Sequence, residues 1–392
     1  MSRRRPRIVY LQYTNPAGYP PLEHSSRILA GRGWDVLFFG TGAFGADGLA
    51  FPAHPAIEVR RMADGGSGLK QRLNYLAFMA WAVATCLKFR PDWVYASEAL
   101  SCPAALAIRN ATGCRVVYHE HDTPGALARP SGVQRIVRAA RLKLARGADL
   151  CILPQQKRLA AFVAETRRTG PTECVWNCPR REEVVPPRPA LTAGEPLTFY
   201  YHGSLNAERL PISIIEALHR ASATAKLAIV GYETAGSIGY MTELLGTAAR
   251  LGLGGRVRYL GPIAQRADMM TAAATADVGL AFMPMQTCDI NMGHMTGASN
   301  KPFDYLALGQ MLLVSDLPDW REMFVDPGYG RACIPFAVDD LSRALSWCAA
   351  HPDAVRAMGE AGRQRVLAEW NYERCFAGVV ERLAPTTLGL QS

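Results

Sequence analysis

The sequence predicts an α/β protein made of two Rossmann-like domains facing across a cleft. Three observations lead there. The chain has 392 residues, too long for one ordinary core, so two domains of roughly 150–200 residues are expected. Short apolar runs bounded by Gly, Pro or Asp alternate with helical segments along both halves, the rhythm of parallel sheets with helices on both faces. Between the halves, residues 180–197 (RREEVVPPRPALTAGEPL) are rich in Pro and charge and lack periodicity, as a linker does. The expected domains are 1–185 and 198–370, with 186–197 as linker and 371–392 as a C-terminal helix crossing back to the first domain.

Composition narrows the class. Apolar residues make up 49% and charged residues 20% of the chain, as in a soluble globular protein. The start, MSRRRPRIVYLQY, lacks the apolar run of a secretory signal, and the longest uncharged apolar stretch, Leu76 to Leu87, is far short of the ~20 residues that span a bilayer. The ten cysteines form no CxxC pair, which suits reduced thiols in the cytoplasm. Charge is uneven: residues 1–185 hold 26 Lys+Arg against 14 Asp+Glu, a balance of +12, and the remainder 17 against 20, or −3. A basic half points to an anionic surface or substrate. No zinc finger, RNA-binding signature or aromatic-studded basic stripe argues for nucleic acid.

The elements follow in order. RIVYLQ (Arg7 to Gln12) is a buried strand, the loop TNPAGYPP follows, then a helix from Leu22 and the strand DVLFFG. Gly40-Thr-Gly42-Ala-Phe-Gly45 spells GxGxxG, but a dinucleotide cradle needs a helix directly after it. What comes is the Pro-broken ADGLAFPAHPAIEV, so the match is set aside. Leu69 to Phe89 reads as a long core helix, with membrane contact as the minor alternative. RVVYHEHDTP is a strand whose C-terminal end carries His119, Glu120, His121 and Asp122. Ligands bind at such ends in open α/β sheets; a surface turn is the plainer alternative. Gln134 to Arg146 is a basic amphipathic helix whose apolar face is Val133, Ile136, Val137, Ala140 and Leu144. It suits an anionic membrane or a solvated surface equally.

The second half repeats the rhythm, from the strand TFYYHGSL through KLAIVG, RVRYLG and DVGLAFMP to SNKPFDYLALGQMLLVSDLP. That last stretch is a loop, a short helix ended by Gly309, and a buried strand. Gly suits the helix end because it accepts the left-handed conformation cheaply. A helix N-terminus is a ready anion site, and Lys301 strengthens it. Asp304, one turn in, can accept hydrogen bonds from vicinal hydroxyls. Phosphate plus diol describes a nucleotide. An ordinary αβ unit with a surface Lys–Asp pair is the bland alternative.

With those motifs in order, the chain resembles the retaining glycosyltransferases of family 4, of GT-B fold. YHGSLNAER resembles the family's Gly-rich phosphate loop, LAIVG and RVRYLGPI its next strands, and SNKPFDYLALGQ its donor signature. CVWNCP and YHEHD resemble, more loosely, segments of the family's first domain. The resemblance implies transfer of a sugar from a UDP- or GDP-linked donor to an acceptor hydroxyl with retention, in bacterial cell-surface polysaccharide or glycolipid assembly. It implies Arg209 and Lys301 on the diphosphate, Gly203 and Ser204 approaching the phosphate, Gly261 and Ile263 at the base, Ser299 and Asn300 on phosphate or sugar, and Asp304 on the ribose. His121 would face the donor sugar, with His119 second, so His121, Arg209 and Lys301 are the catalytic candidates. The acceptor would lie on the first domain, at Asn15, Gly18, Tyr19 and His119. No cofactor is implied beyond the nucleotide sugar, itself a substrate, and no metal. A sugar or lipid-linked acceptor and an anionic membrane are the expected partners, at the inner face of the cytoplasmic membrane.

Two positions depart from the family pattern. Ser204 stands where an Arg is common, and the first acid of the Glu-x7-Glu pair is Thr296. A non-catalytic sugar-nucleotide-binding protein and a GT-B-fold epimerase therefore stay as alternatives.

Overall fold

The computed structural model describes residues 4–125, 129, 131–189, 195–221 and 224–384. It divides into two compact units: one runs to Ala43, takes up Phe51–Trp176 and resumes at Tyr372; the other comprises Phe44–Ala50 and Asn177–Asn371. Both units are parallel-sheet α/β folds of Rossmann type. The boundary falls earlier than the sequence suggested. Residues 177–185 pack in the second unit, where the N–H of Val185 donates to the Ala307 carbonyl and Asn177 to Gly297. Residues 190–194 of the expected linker and 385–392 of the expected C-terminal helix lie outside the described residues.

In the first unit the strands are β1 (Arg7–Leu11), β2 (Asp35–Thr41), β3 (Ile57–Met62), β4 (Trp93–Ser97), β5 (Arg115–His119), β6 (Leu150–Leu153) and β7 (Thr172–Cys174). They pair in the order β3-β2-β1-β4-β5-β6-β7, all parallel. β1, β4 and β6 are almost continuously buried, which explains apolar runs without alternation: both faces are covered. Val9, Leu11, Val94, Ala96 and Val116 face α2 (Gly68–Phe89), α3 (Cys102–Thr112) and α4 (Gly132–Gly147). Ile8, Tyr10, Trp93, Tyr95 and Val117 face α1 (Pro20–Gly31) and the segment from Tyr372 to Leu383. α5 (Gln156–Thr166) completes the unit. The GxGxxG stretch leads from β2 to β3 with no helix between.

α2 departs from the core helix that its sequence suggested. Only Tyr75, Phe78, Ala82 and Cys86 are buried. Leu69 (71% exposed), Leu73 (58%), Leu76 (51%) and Leu87 (49%) stand in solvent with Ala77, Ala80 and Ala84, a stripe at helical spacing. Ile136 of α4, expected on the apolar face, is also 62% exposed.

The second unit carries β8 (Thr198–Leu205), β9 (Lys226–Glu233), β10 (Val257–Tyr259), β11 (Val278–Ala281), β12 (Met311–Ser315) and β13 (Gly330–Cys333), in the order β10-β9-β8-β11-β12-β13. Its helices include α6 (Ser213–Arg220), α7 (Tyr240–Arg250), α8 (Arg266–Ala273), α9 (Ile290–Gly293) and α10 (Asn300–Ala307). The reversal of strand order between β8 and β11 is the topological switch point, where ligands sit beyond the carboxyl ends of the strands. α10 is set there by close packing. The Cβ position of Gly279 lies 2.2 Å from the Tyr305 ring, so the missing side chain is what admits Tyr305 against β11. Behind α10, Gly359 and Gly362 of the helix Pro352–Ala368 give the same clearance to Gly309 and Leu306.

This close approach inverts an ordinary rule. Gly→Ala in an exposed helix gains about 1 kcal/mol. A Cβ at Gly359 would stand 2.2 Å from the Gly309 carbonyl oxygen, so Gly359→Ala should instead cost about 1–3 kcal/mol of overpacking. Urea unfolding reads the sign; a stabilised variant would contradict the packing described.

Candidate functional site

The site grows from the end of β8. His202, Gly203 and Ser204 are its last turn-ward residues, and Gly203 has φ 120°, a conformation that side chains rarely adopt. The Cβ position of Gly203 lies 3.0 Å from Lys301 Cε and 3.1 Å from Nζ. The absence of a side chain therefore lets the lysine lie against the strand end. Past Leu205 the chain makes an Asx turn: Asn206 Oδ1 accepts the N–H groups of Glu208 (3.1 Å) and Arg209 (3.0 Å). This presents Arg209, half-buried, with Nη2 3.1 Å from Met292 Sδ of α9.

Lys301 is in the first turn of α10, whose N-cap is Ser299. Its ammonium lies 5.2 Å from the centroid of the Tyr201 ring. Burial, then repulsion from Arg209, bring its pKa down to about 7, with the Asp304 charge pulling the other way. Ser299 is buried and makes no capping bond through its side chain. Asn300 Oδ1 is buried without a hydrogen-bond partner among the described residues. Donor groups, a helix N-terminus and two cations thus converge beside the backbone of Gly203, the composition of an anion site.

Asp304 plays a different part from the one its spacing suggested. It is 1% exposed. Its oxygens accept Arg266 Nη2 at 2.6 Å and Nη1 at 3.1 Å, and His202 Nε2 stands 3.3 Å from Oδ2. Burial alone would raise its pKa, but Arg266 and His202 outweigh it and hold the carboxyl below its ordinary range. Arg266 reaches on to Glu183 Oε1 at 2.6 Å. Burial opposes its charge, and the two carboxylates overcome that and hold its pKa above the ordinary value. Asp304, expected on the ribose, has both oxygens engaged by this internal clamp. His202, which burial keeps below its usual pKa, belongs to the same clamp. The N–H of His202 also donates to Tyr305 Oη at 3.0 Å.

The remaining candidates divide. Ser204 contributes its carbonyl to Tyr201 Oη at 2.6 Å. Gly261 has φ 72° and accepts the Gly231 N–H at 3.0 Å, with Ile263 half-buried two residues on. Thr296 Oγ1 lies 3.2 Å from Asp319 Oδ2, so a carboxylate from another segment stands beside the position whose acid is missing.

In the first unit, Asn15 is buried and spends Oδ1 on the Ala17 N–H, capping the short turn Pro16–Gly18. His119 is fully buried with Nδ1 2.5 Å from Tyr95 Oη. Neither offers its side chain to an acceptor, contrary to expectation: one is a turn cap and the other a sheet-buried ring. Gly18 donates its N–H to the Asn15 carbonyl within the same turn. The His121 ring lies against His119 with centroids 3.7 Å apart and planes tilted by 35°, and both its ring nitrogens are buried without a hydrogen-bond partner among the described residues. Burial and the Arg158 charge lower its pKa to about 3, so it is a neutral imidazole. Tyr19 stands 5.4 Å from it, centroid to centroid. Sequence reasoning missed Arg266, Glu183 and His202. Only His202 gave a signal, a titratable residue directly before Gly203.

Comparison with known proteins bears on both halves of the chain. A glycosyl transferase-like family model matches residues 212–380, and a glycosyl transferase 4-like domain matches 22–178. No curated protein sequence matches the chain. Among solved structures, sucrose-phosphate synthase of Thermosynechococcus elongatus is similar with a TM-score of 0.70 at 16% identity, over 96% of this chain and 98% of that one. HepE of Anabaena, in complex with UDP and glucose, has a TM-score of 0.70 at 16% identity, over 97% and 99%. WaaG, a glycosyltransferase involved in lipopolysaccharide biosynthesis, has 0.66 at 15%, over 97% and 100%. Domains of glycosyltransferase type thus account for both halves, on the fold of the GT-B enzymes.

Lys301 gives the site a pH signature. Its folded pKa lies near 7 against 10.5 unperturbed. Between those values the unfolded chain holds a proton that the folded one has released, so stability rises with pH across that window. Lys301→Met should flatten this rise between pH 7 and 10 in urea unfolding. An identical slope in variant and wild type would show that the lysine is not desolvated.

Proposed function

We propose that this chain, a glycosyltransferase of the GT-B type, transfers a sugar from a nucleoside-diphosphate donor held at the β8–α10 junction of its second unit. The carrying observation is the convergence of Lys301, in the first turn of α10 and against Gly203, with Arg209 of the turn that follows β8; burial and repulsion from Arg209 lower the lysine pKa. A diphosphate relieves that repulsion and takes charge-assisted hydrogen bonds. UDP is the first candidate base, since UDP complexes occur among the structural neighbours.

As the anomeric C–O bond to the diphosphate breaks, negative charge builds on the leaving phosphate. Lys301, Arg209 and the N-terminus of α10 stabilise that charge. The acceptor hydroxyl adds to the anomeric carbon on the face the phosphate leaves, and its proton passes to the departing phosphate oxygen, which gives retention. Ser299 and Asn300 contact phosphate or sugar, and Gly261 and Ile263 lie toward the base. Asp319, beside Thr296, is the carboxylate available in place of the motif's first acid.

The acceptor is sugar- or lipid-linked, and the enzyme works at an anionic membrane surface in cell-surface polysaccharide or glycolipid assembly. What supports the membrane is the outer face of the first unit. α2, α3 and α4 contain nine Lys and Arg (three, one and five) and no Asp or Glu; Arg141 alone of these is buried, against Glu120 and Glu165, and α2 carries the exposed leucine stripe. A basic surface with an apolar stripe binds at the interface by charge and shallow insertion. No helix among the described residues is long and apolar enough to cross a membrane.

UDP at a hundred times its dissociation constant should stabilise the protein by ~2.7 kcal/mol, seen as a raised melting temperature. Lys301→Ala and Arg209→Ala should each lose most of that shift. A response to NAD but not to UDP or GDP would overturn the donor assignment. For the membrane, the protein should co-sediment with phosphatidylglycerol vesicles at low salt and not with phosphatidylcholine vesicles. Leu73→Asp with Leu76→Asp should release it; indifference to lipid charge in the wild type would refute the surface.

A further inference from the structure

The first unit contains a cavity of about 490 Å³ apart from the donor site. Tyr19 reaches it from the loop after β1, Glu98 and Leu100 follow β4, Asp122 follows β5, and α4 contributes both apolar side chains (Val133, Val137) and cations (Arg138, Arg141). β1 and β4 flank the reversal of strand order in this sheet. The cavity therefore occupies the switch point of the first unit, where such sheets bind ligands.

Glu98 is the unusual member. Its backbone has φ 68° and ψ 162°, a region essentially restricted to glycine. Its N–H donates to the His119 carbonyl at 3.0 Å, and its Oε1 accepts the Asp122 N–H at 3.1 Å. The other carboxylates nearby have cations. Glu120 and Glu165 share Arg141, and Asp122 stands 3.5 Å from Arg158. Glu98 has no ion pair among the described residues. Burial first, then the charges of Asp122 and Glu120, raise its pKa well above the ordinary carboxylate range. A strained backbone holding an unpaired carboxyl in a cavity wall is costly to folding, and such strain clusters where ligands bind. The remaining wall has two parts: Leu100, Val133 and Val137 form an apolar patch, and Gln134, Arg138 and the Arg141–Glu165 pair form a polar one.

We propose that this cavity binds an amphipathic glycoside, a sugar hydroxyl hydrogen-bonding the Glu98 carboxyl and an apolar aglycone lying on Leu100, Val133 and Val137. As the acceptor site of the transferase it rests on the function proposed above; as a binding site it stands alone. Tyr19 is the one residue of the expected acceptor set that lines it.

The test uses the full chain and octyl β-D-glucopyranoside below its micelle concentration, with glucose as the control, read by isothermal titration. Wild-type protein should bind the octyl glucoside at least tenfold more tightly than glucose. Glu98→Gly should raise the melting temperature by roughly 2–6 °C, because glycine relieves the backbone strain, yet weaken the glucoside tenfold or more. Leu100→Asp, at a residue already 41% exposed, should weaken it while sparing UDP binding. If Glu98 merely caps the turn at Asp122, Glu98→Gly will melt lower and bind the glucoside unchanged; either result overturns the proposal, as does a wild type that fails to prefer the glucoside. UDP stabilisation in the same samples separates the two readings. Its loss with glucoside binding intact would sink the donor assignment alone, and the reverse would sink this site alone.

Discussion

The buried clamp around Arg266 is the constraint on which the second unit's site depends. One guanidinium holds Glu183 from the segment after the unit boundary and Asp304 from the middle of α10, and Asp304 in turn meets His202 at the end of β8. Three stretches far apart in sequence are thereby fixed to one another at the switch point. Removing one partner of such a set leaves an uncompensated buried charge, at a cost of about 3–5 kcal/mol. The clamp is thus a device for position, holding the first turn of α10 against Gly203. Lys301 inherits its place from that arrangement, and its depressed proton affinity reflects burial first and the nearby Arg209 second.

Positioning by backbone clearance works alongside the ions. Gly279 admits Tyr305, whose hydroxyl accepts the N–H of His202. Gly203 admits Lys301, and Gly359 admits the Gly309 carbonyl. In each case the sequence shows a glycine in a strand or helix where propensity disfavours it. The close approach that it permits explains why it is there.

Much of this was legible in the sequence. Buried parallel strands announce themselves as unbroken apolar runs, so β1, β4, β8 and β12 and the helix ended by Gly309 (φ 66°) were placed directly. Lys301 at a helix start was legible because helix N-termini are local. The engagement of Asp304 was not legible because its partner, Arg266, lies 38 residues away, and nothing in either local pattern announces the ion pair. His119 and Asn15 looked available because polarity at a strand end or in a loop is visible in sequence, whereas the Tyr95 hydroxyl and the Ala17 N–H that occupy them are not. α2 misled in the opposite direction. An apolar helix is ordinarily a core helix, and only the packing shows that its leucines point away from the sheet. Glu98 left no trace at all, since its distinction is a dihedral angle.

Net charge is a poor guide to where the donor chemistry sits, and the reason is physical. The excess of +12 lies in residues 1–185, while residues 186–392, which hold Lys301 and Arg209, carry −3. A diffuse excess acts at long range and is screened within about 8–10 Å in ordinary salt. It suits a broad partner such as a charged surface, and the acid-free helices α2, α3 and α4 concentrate it there. A diphosphate instead needs a few cations at hydrogen-bond distance in a partly desolvated place, where each is worth far more than in water. Two such residues suffice if packing holds them, whatever the sign of the domain around them. The acidic balance of the second half is no evidence against an anionic ligand, since the carboxylate nearest Lys301 in the chain, Asp304, is engaged by Arg266.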